Sequence, residues 1–179
     1  MKTILLFMIS FYLYAISGTA QEKTAGPIIP NYGKVFTINN PEFKTDTSLV
    51  FKAVFDVMQT SDKKEHLNTS LETAARFLNM HAKASVPPEN LHVALVIHNL
   101  ATKDIISHET YQKKFGINNP NAELIKDLLA VGGQVIVCGQ SIHSRGFKKE
   151  ELLPGVQVSL SAMTALLQLQ NDDYKLIKF

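Results

Sequence analysis

The sequence predicts one α/β domain, a three-layer α/β/α sandwich around a mainly parallel sheet of about five strands. Apolar runs of strand length alternate along the chain with segments whose apolar residues recur at helical spacing. This alternation favours parallel pairing, because right-handed crossover helices then cover both faces of the sheet. The length of 179 residues fits a single domain that can bury its own core.

Residues 1–20 have the layout of a secretory signal peptide. Lys2 carries a positive charge, Ile4 to Ile16 form an apolar run, and Ser17 to Ala20 are small residues suited to signal peptidase. The run is shorter than the roughly 20 residues of a membrane span, so an uncleaved anchor is the less favoured alternative. We therefore expect cleavage after Ala20, export to the periplasm or secretion, and no membrane attachment of the mature chain.

Residues 21–46 are predicted to form an irregular N-terminal arm, because proline and glycine interrupt any regular element there. We expect the arm to pack on the domain, which spans residues 47–179. The residues expected to make this contact are Ile28, Ile29, Val35 and Phe36.

The first half of the domain contains two predicted strands and one long helix. Alternating apolar residues predict a strand over Thr47–Met58, and a nearly continuous apolar run predicts a buried strand over Leu91–Ile97. Between them, apolar residues at helical spacing predict a helix over Lys64–Ala82. A less regular stretch follows over His98–Phe115, with a short helix from about Ile105.

The second half continues the alternation. Asn119 is predicted to cap a helix that Gly132 and Gly133 end. A helical turn is expected from about Ser141, and Ser161 is predicted to cap the last helix. The predicted strands are Gln134–Cys138, Val156–Leu160 and Tyr174–Ile177.

Composition and motifs exclude several functions. The chain has 18 Lys and Arg against 16 Asp and Glu, and this near balance argues against a nucleic-acid partner. The six histidines lack the spacing of a zinc site. The sequence contains no Cys-x-x-Cys pair, glycine-rich phosphate loop or Gly-x-Ser-x-Gly elbow. We therefore predict no metal site, no cofactor, and no dithiol or α/β-hydrolase chemistry.

Cys138 is the candidate catalytic residue. It is the only cysteine, so in an exported chain it is a buried inert thiol, an intermolecular partner or a reactive group. It ends a predicted strand just before a helix, whose free amides favour the thiolate, and Gly139 would let a ligand come close. The carboxyl ends of parallel strands form ligand sites. The residues predicted to line such a site are His98, Asn99, Gln140, Ser141 and Arg145.

These segments together resemble the DsrE/DsrF-like sulfur-relay proteins, particularly their exported branch. The resemblance rests on the order and spacing of Phe51–Val57, Val93–His98, Asn118–Asn121, Val135–Ser141, Leu152–Val156 and Ser161–Ala165, with the arm from Pro27 to Gly33. It implies a parallel five-stranded α/β/α fold, a homo-oligomer, and a cysteine matching Cys138 that accepts a persulfide sulfur and passes it to the next protein. Many members have His-Gly where this chain has His98-Asn99, which weakens the transfer of ligand geometry to that loop.

Two functions follow as expectations. The first is an exported sulfur-handling protein, a persulfide carrier or sulfurtransferase that uses Cys138 with a donor or acceptor protein. The alternative is a non-catalytic module for small-ligand binding or assembly on the same fold, with Cys138 as a packed thiol. The accessibility and the pKa of Cys138 in the folded protein distinguish the two.

Overall fold

The structure is a computed structural model that describes residues 21–178. The predicted signal peptide at residues 1–20 lies outside the described residues. Within residues 21–178, no helix is both long enough and apolar enough to cross a membrane.

All five strands of the described chain lie in one parallel sheet, as predicted. Their order across the sheet is β4-β3-β2-β1-β5, so the two strands that end the chain form opposite edges. In the centre, β1 pairs with β2 along their whole length and β2 pairs with β3. The strands are β1 (Phe51–Val57), β2 (Leu91–Ile97), β3 (Gln134–Cys138), β4 (Gln157–Ser159) and β5 (Lys175–Ile177).

Helices cover both faces of the sheet and complete the predicted three layers. The helices are α1 (Thr69–Lys83), α2 (His108–Phe115), α3 (Ala122–Ala130), α4 (Gly139–Ser144) and α5 (Ala162–Asn171), with short 3-10 segments at Pro88–Asn90, Asn99–Ile105 and Lys149–Glu151. The larger core lies on the side of α1 and α3, and it includes Leu95 and Val137. The smaller core lies under α5 and includes Val96 and Cys138. Neighbouring residues of a strand therefore belong to opposite cores.

Several element boundaries differ from the sequence prediction. β1 begins at Phe51 rather than Thr47, because Leu49 and Val50 are exposed and outside the ladder. α1 begins at Thr69 rather than Lys64, because the Asn68 side chain caps it by accepting from the amide of Ser70. The helix after β3 begins at Gly139, two residues earlier than predicted, and the outer strands are shorter than predicted. These ends depend on caps and pairing partners that apolar spacing does not show.

Asn119 has a different role from the predicted helix cap. α3 begins at Ala122, and Asn119 turns the chain before it by accepting a hydrogen bond from the amide of Asn121 at 2.9 Å. Its side-chain amide donates to the carbonyls of Asp104 and Ile106, which belong to the segment after β2. Asn119 therefore joins two loops at the carboxyl end of the sheet, the end that carries the candidate site.

One buried asparagine holds the N-terminal arm on α1. Oδ1 of Asn79 accepts from the amides of Ile28 and Ile29, and Nδ2 donates to the carbonyls of Ile29, Tyr32 and Gly33. Ile29 is fully buried, as expected of an arm residue that packs on the domain. Val35 is buried as well, whereas Phe36 is 44% exposed and contributes less to this contact.

Candidate functional site

The candidate site lies at the carboxyl edge of the sheet, where β3 ends at Cys138 and α4 begins at Gly139. A Cβ atom at Gly139 would lie 2.6 Å from the carbonyl oxygen of Ser159, so only glycine fits beside the edge strand. The close neighbour of Gly139 is thus β4 rather than the ligand that the sequence analysis assigns to it. The chain passes from strand to helix without an intervening loop, which places the first amides of α4 next to Cys138.

Four hydrogen-bond donors surround the sulfur of Cys138. The hydroxyl and amide of Ser141 and the amide of Gln140 come from α4, and the amide of Ala162 comes from the first turn of α5. Burial raises the pKa of the Cys138 thiol, but the hydrogen bonds from Ser141, Ala162 and Gln140 outweigh it, so the pKa lies below its ordinary value. The site therefore favours the thiolate, which is the nucleophilic form of cysteine.

Little of Cys138 reaches the surface. The residue is 5% exposed and packs with Val96, Ile136 and Ala162 in the smaller core. Its lowered pKa agrees with the acidic thiol that the sequence predicts, whereas its low exposure does not agree with the predicted access. The low exposure arises because Ala162, which follows β4 and is distant in sequence, packs with Cys138 in this core.

A chain of hydrogen bonds connects the sulfur to the loop after β2. The hydroxyl oxygen of Ser141 accepts from the amide of Asn99 at 3.0 Å, and Oδ1 of Asn99 accepts from Nη2 of Arg145 at 2.6 Å. A hydroxyl that accepts one hydrogen bond donates a stronger one, so the Asn99 amide reinforces the bond from Ser141 to Cys138. The structure thus brings four of the predicted site residues into one connected group.

Asn99 adopts the backbone conformation that glycine favours. Its φ of 52° lies in the left-handed region, which asparagine tolerates better than other residues with a side chain. Asparagine here keeps a turn that a glycine would make and adds the side-chain oxygen that holds Arg145. With His98-Asn99 the chain therefore makes the same backbone turn that a His-Gly pair would make.

The other two predicted residues have different partners. Nε2 of His98 lies 2.8 Å from Oδ1 of Asp56 on β1, and Nε2 of Gln140 donates to the carbonyl of Leu160 at 3.3 Å. Gln140 reaches the sulfur through its backbone amide rather than its side chain. Sequence reasoning missed Asp56, although a carboxylate near the end of an otherwise apolar strand was a usable signal.

A small cavity of about 240 Å³ opens beside Asp56, between the carboxyl ends of β1 and β5. Its lining is partly polar and includes Gln59, Ser70, Thr73 and Lys178. Among residues 21–178, no group of three or more His, Cys, Asp or Glu side chains is arranged to hold a metal ion.

Comparison with known proteins assigns the family. The family model described as "DsrE/DsrF-like family" matches residues 52–179, which is more than half of the chain and contains every residue of the candidate site. The chain belongs to the DsrE/DsrF-like family. No curated protein matches this DsrE/DsrF-like chain.

Two solved structures share the fold of this DsrE/DsrF-like protein. One is MTH1491 from Methanobacterium thermoautotrophicum, a protein of unknown function, with a TM-score of 0.52 and 14% identity. That match covers 71% of this chain and 97% of the other. The other is the ychN protein from E. coli, with a TM-score of 0.52 and 21% identity, covering 72% of this chain and 99% of that protein. At these identities the two structures support the fold and do not assign an activity.

Proposed function

We propose that this DsrE/DsrF-like protein handles sulfur and that Cys138 carries a sulfane sulfur as a persulfide. The observation that supports this proposal is the set of four N–H and O–H donors near one buried thiol, which lower its pKa. A merely packed thiol in apolar surroundings would have a raised pKa, because burial disfavours the charged form. Here the hydrogen bonds reverse that effect and lower the pKa of Cys138. Family membership is consistent with this role.

The proposed step conserves atoms and electrons. The Cys138 thiolate attacks the outer sulfur of a donor persulfide, R–S–SH, and a new sulfur–sulfur bond forms as the donor's S–S bond breaks. The electron pair of the broken bond leaves with the donor as R–S⁻, which takes up a proton, and the product is Cys138–S–SH. An acceptor thiolate then attacks the outer sulfur and releases the Cys138 thiolate.

We also propose in which compartment and with which partners this step takes place. The signal-like residues 1–20 support export to the periplasm or secretion, after which the mature chain is free of the membrane. There the protein would receive sulfur from a donor protein or deliver it to an acceptor, and it would act as a homo-oligomer. N-terminal sequencing of the exported protein tests the cleavage site, and an intact Met1 in the membrane fraction would contradict it.

Sulfur uptake by the folded protein tests the carrier function. The mature protein is incubated with glutathione persulfide and its intact mass is measured, beside a Cys138→Ala variant. We expect the mass of one added sulfur on the wild type and none on the variant.

Alkylation with iodoacetamide at neutral pH is measured in parallel on native and urea-unfolded protein. Native labelling as fast as unfolded labelling supports a reactive thiol, whereas labelling that requires unfolding excludes a carrier.

The low exposure of Cys138 favours a second candidate, an assembly or binding module without chemistry. An exposed apolar stripe lies next to the site, where Leu160, Met163 and Leu167 are 72%, 74% and 63% exposed. Such a stripe suits a protein partner. The alkylation experiment separates the two candidates, because a module with a packed thiol would be labelled only after unfolding.

A further inference from the structure

We infer that Asp56 and His98 form a proton-transfer pair for Cys138, in which His98 protonates the departing thiolate and Asp56 orients its ring. This inference rests on the proposed function and adds residues of two further strands to its site. It is carried by strand register, by one short hydrogen bond and by the acceleration that an acid gives to a poor leaving group.

Register places the three side chains on one face of the sheet. The last pair that joins β2 to β3 is Ile97 with Val137, so His98 and Cys138 are the next residues along two adjacent strands. Both follow residues of the larger core, and their preceding same-face neighbours, Val96 and Ile136, pack in the smaller core under α5. His98 keeps an extended backbone, with φ of −153° and ψ of 179°, so the alternation of faces continues through it.

Asp56 occupies the same face on the next strand. Its neighbours Phe55 and Val57 belong to the larger core, so the Asp56 side chain extends toward the α5 side. There Oδ1 of Asp56 lies 2.8 Å from Nε2 of His98. Among residues 21–178 the His98 ring has this one hydrogen bond, so its Nδ1 has no protein partner there. A carboxylate bound to one ring nitrogen fixes the imidazole and stabilises positive charge on it.

A proton donor would accelerate the sulfur-transfer step. When the Cys138 thiolate attacks a sulfur–sulfur bond, the electron pair leaves on a second thiolate, which is a poor leaving group when its thiol is weakly acidic. A proton from imidazolium His98 converts this leaving group to a thiol, and neutral His98 then regains a proton from solvent. The donors around Cys138 cannot do this, because the Ser141 hydroxyl and the three amides do not release a proton at neutral pH.

The dependence of the exchange rate on the leaving group tests whether His98 and Asp56 act as a proton-transfer pair. The rate at which Cys138 exchanges with two small neutral disulfides is measured, with bis(2-hydroxyethyl) disulfide as the poor leaving group and 4,4′-dithiodipyridine as the good one. For His98→Gln we expect the first rate to fall about a hundredfold and the second by less than about threefold, since only the poor leaving group needs an acid. Asp56→Asn should lower the first rate by about tenfold and the second little.

A matched control variant completes the design. His143→Gln, at an exposed histidine of α4, should match the wild type with both disulfides. Circular dichroism confirms that each variant is folded.

Each outcome decides the inference. Equal loss with both disulfides, or no loss in His98→Gln, overturns the proton-transfer pair and leaves the sulfur carrier standing if glutathione persulfide still adds sulfur. A wild-type protein that reacts with neither disulfide and takes up no sulfur overturns both. A selective loss with the aliphatic disulfide, confined to the two pair variants, supports the inference.

Discussion

The backbone amide of Ala162 helps to lower the pKa of Cys138, so the first turns of α4 and α5 both act on one thiol. Amides in the first turn of a helix have no partner within that helix and carry partial positive charge. Two such turns are therefore directed at the sulfur from different sides of the sheet edge. The thiolate of Cys138 is stabilised by the packing of α5 on the sheet as well as by its own helix.

Replacing Ser141 by alanine should slow the alkylation of Cys138. The variant loses the hydroxyl hydrogen bond to the sulfur, so the pKa of the Cys138 thiol should rise toward its ordinary value. Because hydrogen bonds to charged groups are the stronger kind, we expect the iodoacetamide rate at neutral pH to fall about tenfold. Ser144→Ala is the control, since the Ser144 hydroxyl donates to the carbonyl of Ser141 rather than to the sulfur. Equal rates in both variants would contradict the assigned hydrogen bond.

The stability of the fold should depend on pH through Cys138. Its pKa is lowered in the folded state, so the unfolded chain holds the thiol proton to higher pH than the native protein does. Stability from this group is complete above the ordinary thiol pKa and is lost as pH falls through the lowered pKa. Urea unfolding of wild type and Cys138→Ala from about pH 6 to about pH 9.5 measures it. The wild-type advantage should grow with rising pH, and a constant difference would count against the thiolate.

Truncation of three helical leucines to alanine should lower the free energy of unfolding by different amounts. Leu128 is 1% exposed under the sheet, so Leu128→Ala should cost about 2–5 kcal/mol of unfolding free energy. Leu166 is only partly buried against the smaller core, so its truncation should cost less, about 1–2 kcal/mol. The adjacent Leu167 is exposed, and Leu167→Ala should stay within about 0.5 kcal/mol. Urea melts rank the three, and a reversed order for Leu166 and Leu167 would mean that α5 is rotated.

Asn99 offers a test of the left-handed turn. Asn99→Gly keeps the favoured backbone and should be nearly as stable as wild type, whereas Asn99→Ala should lose about 1 kcal/mol because alanine keeps the Cβ, which is strained at positive φ, without the polar side chain that lets asparagine tolerate it. Both variants lose the bond to Arg145, so they form a matched pair for that contact. Thermal melts compare them. If alanine were as stable as glycine, the backbone of Asn99 would not be left-handed in solution.

The central strands were predictable from sequence alone because a strand that is buried on both faces has a nearly continuous apolar sequence. The predicted ranges Leu91–Ile97 and Gln134–Cys138 are the observed β2 and β3. The edges were harder, since β4 and β5 have three residues each, most of them exposed. A short exposed strand has no apolar pattern to mark its ends.

The site was predictable where it is local in sequence. The segment around Cys138 gave Ser141 and the helix amides, because all of them follow one strand end. Ala162 and Asp56 were missed because their contacts are made between segments distant in sequence, and only the packed sheet brings them together. The burial of Cys138 was missed for the same reason.

The hydrogen bonds between Asn79 and the N-terminal arm affect the order in which the nascent chain can fold. Ile28 and Ile29 leave the ribosome about fifty residues before the asparagine that binds their amides, since the sequence separations are 51 and 50. Until Asn79 emerges and α1 forms, these backbone groups have only water as a partner. The arm is therefore synthesised before the domain but packs on it only after α1 has formed.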